Sequence, residues 1–367
     1  MQSPPISPAD KTPGDGVTAE GESYPSRRLQ FVGVAPPQPG TCVEIAEGVL
    51  WSRIPLPIDL NHINVWLLDC GDGCVVVDTG MAAEIGKSAW QRIASQVFVD
   101  KPLRAVFVTH IHPDHIGLAG WLQQQYSVPV WMSARTLDMA KQLLSGANLS
   151  NADEAEAFLR ANGVEDVSAL KPMFSPTRFA RMASGLPEVE RLVADCDVLE
   201  LGSSSWTALE TNGHAEGHLC LSNTAQRLLV SGDQVLPTIS SNISYRWRSA
   251  DPNPLHSFLS SLQRLRTLAQ DTLVLPSHGI PFRGLAQRVD DLTRHHEEQL
   301  EKIVTACSEP RAAFDLLRFM FRRELSGMHL FLGLGEALAH LEYLFNAGRL
   351  ERRQHADGVT RYERLSG

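Results

Sequence analysis

The strand-like run Ala105-Val-Phe-Val-Thr109 passes without a break into His110-Ile-His-Pro-Asp-His115. Nothing else in the chain restricts its fold as strongly, because four side chains able to ligate a first-row metal fall within six residues at the end of an apolar strand. In extended backbone His110 and His112 point to the same side. A turn at Pro113 then lets Asp114 and His115 approach from another direction. Imidazole and carboxylate donors favour zinc, iron or manganese over calcium. Thirteen histidines in 367 residues would not cluster this way in a chance polar loop.

Three later residues sit in comparable places. His214 follows the apolar run Trp206–Glu210, Asp233 ends Leu228-Leu-Val-Ser-Gly-Asp, and His278 ends Thr272-Leu-Val-Leu-Pro-Ser-His. Taken singly, each reads as a polar cap. Taken together, they are metal-ligand types just past apolar strands, where loops on a rigid scaffold gather functional groups.

The rest of the chain supplies that scaffold. Residues 1–40 hold eight of the 22 prolines and few large apolar side chains, so they are expected to form a disordered leader. Short apolar runs follow at Val43–Ala46, Val49–Ile54, Ile63–Asp69 and Cys74–Asp78. The last two are separated by Cys-Gly-Asp-Gly, which reads as a hairpin. Helix and strand then alternate up to Met132, and residues 133–190 take on helical spacing, which reads as an insertion. Strand-like runs return between 197 and 276, with a helix at Leu255–Leu268. Two β-rich halves, each carrying helices, predict an α+β chain built as a four-layer αββα sandwich over residues 41–287. From 288 to 367 the chain is helical and ends in a hairpin, as a small winged-helix-like attachment would.

Composition narrows the function. With 42 acidic against 33 basic residues, the net charge of −9 argues against a general nucleic-acid binder. No apolar run approaches 18 residues and no secretory signal pattern opens the chain, so a cytoplasmic protein with no membrane partner is expected. Six scattered cysteines form neither a disulfide framework nor a CxxC pair.

The order and spacing of His110-x-His112-x-Asp114-His115, Asp78-Thr-Gly80, Gly213-His214, Ser231-Gly-Asp233 and Ser277-His-Gly279 resemble the metallo-β-lactamase-fold hydrolases over roughly residues 43–285. The resemblance implies two divalent metal ions, most simply zinc, with iron or manganese acceptable to the same donors. It implies His110, His112 and His214 on one metal, Asp114, His115 and His278 on the other, and Asp233 bridging them. Asp78 and His218 are implied to orient the ligands. A metal-bridging hydroxide would then attack a carbonyl, with Asp114 as the catalytic group that orients it. The β-lactamases of this fold carry Cys or Ser where Asp233 stands, so the match is with the thioesterase, lactonase, phosphodiesterase and nuclease branches. Glyoxalase II is similar in all seven ligands, but its glutathione-binding groups have no counterpart here.

His295-His-Glu-Glu-Gln-Leu300 and the stretch 335–350 resemble the winged-helix extension of lactamase-like protein 2 relatives, some of which act on RNA and others on acyl carriers. Residues 288–367 hold 12 Lys and Arg against 13 Asp and Glu, a net of −1, where phosphate tracking needs a basic face. Hydrolysis of a thioester, lactone or related ester of a small-molecule acyl substrate is therefore expected ahead of a metal-dependent phosphodiesterase or endoribonuclease. The insertion, together with Tyr245, Arg246 and Trp247 in the loop after Asp233, is expected to line the substrate pocket. His295 and His296, in a helix rich in charge, are expected on a solvated face.

Overall fold

The computed structural model describes residues 29–145, 152–175 and 177–365. In chain order the first half comprises β1 (Gln30–Phe31), β2 (Cys42–Ala46), β3 (Val49–Pro55), β4 (His62–Asp69), β5 (Cys74–Val77), α1 (Glu84–Ile93), β6 (Leu103–Phe107), α2 (Pro113–Ile116), α3 (Ala119–Tyr126), β7 (Val130–Met132), α4 (Ala134–Ser145), α5 (Ala152–Ala161) and β8 (Val189–Leu192). The second half comprises β9 (Val198–Leu201), β10 (Ser204–Thr211), β11 (His218–Asn223), β12 (Leu228–Gly232), α6 (Pro254–Arg266), β13 (Leu273–Pro276) and β14 (Phe282–Arg283). Three helices, α7 (Leu285–Ala306), α8 (Ala313–Met320) and α9 (Gly327–Asn346), then lead to the hairpin β15 (Leu350–Gln354) and β16 (Thr360–Arg364).

Strands β2 to β8 make one seven-stranded sheet in sequence order, antiparallel up to β5 and parallel from there on. The other sheet runs β1-β14-β13-β12-β11-β10-β9, with β12 and β13 its parallel pair. Both sheets are buried on both faces, and the strand period shows why. Along β5, Cys74 and Val76 face a core shared with α1, α3 and α4, while Val75 and Val77 face the core between the sheets. Along β13, Leu273 and Leu275 enter that same inter-sheet core, while Val274 faces α6 to α9. Alternate side chains thus feed two cores, which fixes the register.

Trp51, Trp66 and Trp206 fill the centre between the sheets, and the first two stack at 6.0 Å. Trp51 Nε1 donates to Asn64 Oδ1 at 2.9 Å, and Asn64 Nδ2 donates to the carbonyl of Pro276 at 2.8 Å. One satisfied buried amide therefore ties β4 to the segment that carries His278.

Several expectations need correction. Residues 29–40 fall within the expected leader, yet Gln30 and Phe31 pair with Arg283 and Phe282; residues 1–28 lie outside the described residues. The helical stretch 133–190 ends in strand, since β8 pairs in parallel with β7. His296 is fully buried and His295 only 6% exposed. Helix α7 lies between α6, α8 and α9, and Leu292, His295, His296, Gln299 and Ile303 follow one face at helical spacing, while Arg294, Glu297, Glu298 and Glu301 carry the charge on the other. His296 Nε2 is 3.2 Å from Ser240 Oγ and its Nδ1 is 3.1 Å from His340 Nε2. Helix α7 begins at Leu285, and its apolar face joins a core shared with α6.

Candidate metal centre

The seven expected ligands gather at one edge of the two sheets. His110 and His112 follow β6; Pro113 starts α2, whose single turn presents Asp114 and His115. His214 follows β10, Asp233 follows β12 and His278 follows β13. His110, His112, His214 and Asp233 form one group of donors, and Asp114, His115 and His278 a second, each with its donor atoms within 4.8 Å of one another.

Within the first group, His110 Nε2 lies 3.0 Å from His112 Nδ1 and 3.3 Å from His214 Nε2, and His112 Nδ1 lies 3.0 Å from His214 Nε2. About 3.3 Å separates nitrogens bound at roughly 2.0–2.1 Å to a tetrahedral cation. Asp233 stands between the groups. Its Oδ2 is 3.4 Å from both His214 Nε2 and His115 Nε2, and its Oδ1 is 3.5 Å from His278 Nε2. Asp114 Oδ2 is 3.3 Å from His278 Nε2 and 3.7 Å from His115 Nε2.

Four of the five rings are held by the other nitrogen, mostly against a group that can only accept. His115 Nδ1 donates to Asp78 Oδ2 at 2.8 Å, His214 Nδ1 to the Asn242 carbonyl at 2.9 Å and His278 Nδ1 to the His62 carbonyl at 2.9 Å. Thr109 Oγ1 donates to the Asp78 carboxylate at 2.9 Å and accepts from His110 Nδ1 at 3.0 Å. These partners turn the Nε2 atoms inward. His115 Nε2, His278 Nε2 and Asp233 Oδ1 are buried without a hydrogen-bond partner. Such unpartnered polar atoms, converging with two carboxylates, fit divalent cations and no apolar core.

The electrostatics agree. Burial, then the neighbouring histidines, holds His110 and His112 well below the usual imidazole range, so both rings are neutral. Burial opposes ionisation of Asp233, but His115 and His278 outweigh it and hold the carboxyl well below its usual range. Asp114 behaves likewise, at about 2. Burial opposes a charge on His115, yet Asp233, Asp78 and Asp114 raise it well above the imidazole range, so cation binding there releases a proton.

Residues 58–278 match the metallo-beta-lactamase superfamily, and residues 300–365 match the metallo-beta-lactamase-like C-terminal domain. The chain belongs to the metallo-beta-lactamase superfamily. It is therefore a metallo-hydrolase of that superfamily, with a histidine and aspartate cluster suited to divalent metal. A beta-lactamase domain protein from Burkholderia ambifaria is similar over 93% of this chain and 100% of its own, at 36% identity and a TM-score of 0.82. A metallo-beta-lactamase family protein from Thermus thermophilus covers 88% of this chain and 100% of its own, at 25% identity and a TM-score of 0.73. A probable metallo-hydrolase of Bacillus subtilis is 26% identical over 81% of this chain and 92% of its own length. An acyl-coenzyme A thioesterase of Homo sapiens is 26% identical over 52% of this chain, and the match spans 64% of the thioesterase.

In this superfamily member, the positions expected to orient the ligands do touch them or their neighbours. Asp78 has φ +63°, a left-handed conformation that Asp tolerates better than most residues. His218 is held neutral, at about 3, chiefly by burial; its Nε2 accepts from the Asp233 amide at 3.2 Å and its Nδ1 is 2.8 Å from Thr211 Oγ1. A Cβ at Gly232 would lie 2.3 Å from His218 Nε2, so only glycine permits that approach. Asp78→Asn, which keeps the left-handed preference but loses the charge, is expected to weaken binding of one cation by about 10- to 100-fold. A competition titration against a chromophoric chelator measures this; unchanged affinity would mean that His115 is held by something else.

A cavity of about 660 Å³ opens onto His112, Asp114, His214, Asp233 and His278. Tyr245, Arg246 and Trp247 line it, as do Met139, Leu143, Phe158 and Phe174 of the 133–190 stretch. Arg178, within the 133–190 stretch expected there, also lines it, and sequence reasoning missed Met328 and Phe331, which do so too. Met328 and Phe331 belong to the first two turns of α9. Asn242 was missed as well, because it holds His214 through a carbonyl, which every residue has.

Proposed function

We propose that this protein is a dinuclear metal-dependent hydrolase of thioesters or related carboxylic esters with a medium or large acyl group. Zinc is the ion best suited to its histidine and carboxylate donors. One observation carries the reading: an apolar cavity large enough for an acyl chain ends at the carboxylate that joins the two donor groups. The name of the human acyl-coenzyme A thioesterase supports it.

Bound there, two divalent cations supply an ionised water near neutral pH and Lewis acidity for the carbonyl oxygen. The chain's own residues do the rest. Asp233 spaces the two donor groups and keeps them in register. Asp114 Oδ2, between His115 and His278, accepts a hydrogen bond from the attacking water and aims its lone pair at the carbonyl carbon. Phe174 stacks edge-on against Phe331 at 5.4 Å and against Trp247 at 6.5 Å, forming an aromatic wall against which the acyl chain excludes water.

Rates on acetyl, butyryl, hexanoyl and octanoyl thioesters of the metal-loaded protein test the reading. Each buried methylene contributes about 0.8 kcal/mol, so kcat/KM is expected to climb by at least about tenfold from acetyl to octanoyl. Equal rates along the series would remove the acyl-chain role of the cavity. Cleavage of bis-p-nitrophenyl phosphate or single-stranded RNA without any ester hydrolysis would replace the reading by a phosphodiesterase.

A further inference from the structure

Two arginines that line the cavity already have an acidic partner: Arg135 pairs with Glu216, and Arg248 lies 2.8 Å from Glu154. Arg178 and Arg246 do not: among the described residues neither has a carboxylate within ion-pair range. Arg178 Nη2 meets the Met328 sulfur at 3.6 Å. The Nε of Arg246 is buried without a hydrogen-bond partner, and its guanidinium carbon lies 5.6 Å over the Phe331 ring.

The two groups are close enough to feel each other. Burial, with Arg178 adding to it, lowers Arg246 to about 10. Met328 and Phe331 stand three residues apart on one face of α9, so the two guanidinium groups meet the same wall of the cavity. Two like charges held against aromatic and thioether groups are costly unless something of opposite sign joins them. Guanidinium forks match carboxylate and phosphate oxygens, with two parallel hydrogen bonds each.

We propose that Arg178 and Arg246 form a two-guanidinium subsite for an anionic oxygen group, a carboxylate or a phosphate, that the substrate carries. The inference rests on the cavity being the substrate site. It restricts the substrate class to esters that bear a negative charge, either on the acyl group or on the leaving group.

Two matched pairs of thioesters separate these sources on metal-loaded protein. Glutaryl against pentanoyl N-acetylcysteamine varies a carboxylate on the acyl side; pentanoyl-coenzyme A against pentanoyl N-acetylcysteamine varies phosphates on the leaving side. In the wild type, kcat/KM is expected to favour the charged member of one pair by about tenfold or more. In R178A/R246A that ratio should fall to about one, with R178K/R246K between the two because charge remains but the fork is lost. Hydrolysis of neutral thioesters with no preference in either pair would overturn the subsite and leave the hydrolase reading intact. A preference that persists in the double variant would place the anion elsewhere and also overturn it. If no thioester is hydrolysed, the hydrolase reading fails and calorimetry decides the subsite: glutarate or inorganic phosphate should bind about tenfold more weakly to the double variant at equal metal content. Equal binding would overturn it.

Discussion

Asp233→Ala is expected to lower the metal content from two ions to one or fewer and to reduce turnover by about a thousandfold or more. The carboxylate reaches both donor groups, with Oδ2 at 3.4 Å from His214 Nε2 and from His115 Nε2, and Oδ1 at 3.5 Å from His278 Nε2. Each half of the centre loses a donor when it is removed. Metal-assisted chemistry of this kind is worth several kcal/mol, and every 1.36 kcal/mol is tenfold in rate. Metal analysis after dialysis, with circular dichroism to confirm folding, measures the effect. Asp233→Asn, which keeps the volume, is expected to follow the alanine variant. Two ions retained per chain in both variants would refute the bridging role.

Gly213→Ala is expected to destabilise the protein by roughly 3–5 kcal/mol. Gly213 has φ +101°, and a Cβ there would lie 2.4 Å from Phe258 Cβ, 2.5 Å from its N and 2.6 Å from its Cα. Backbone atoms at the start of α6 cannot rotate away, so either the helix or the loop that carries His214 must move. Gly185→Ala is the control: its φ is +102°, but nothing lies within 4 Å of the added Cβ, so it should show the conformational strain alone. Urea midpoints of the three proteins, compared at matched metal content, isolate the steric part. A Gly213→Ala midpoint no lower than that of Gly185→Ala would mean that α6 yields freely and does not brace His214.

Much of the centre was legible because its signals are local. A ligand-type residue after an apolar strand can be recognised from a few neighbours, and His110, His112, Asp114, His115, His214, Asp233 and His278 all announce themselves in that way. The alternating burial of β5 and β13 is equally local. His295 and His296 show the limit. Their helix has enough charge to read as solvated, but a helix has two faces, and which of them meets α6 and α9 is settled by packing.

By itself, the sequence determined the donor chemistry and the layered arrangement of strands and helices, since residue type and periodicity are properties of short segments. Only the tertiary structure decided which carbonyls turn the His214 and His278 rings inward and which side chains close the cavity. Those outcomes join residues such as His62 and His278, or Arg178 and Met328, whose meeting depends on how two sheets and the C-terminal helices pack. No local pattern encodes that meeting, because a backbone acceptor looks the same at every position and an arginine without a partner is recognised only when its surroundings are known.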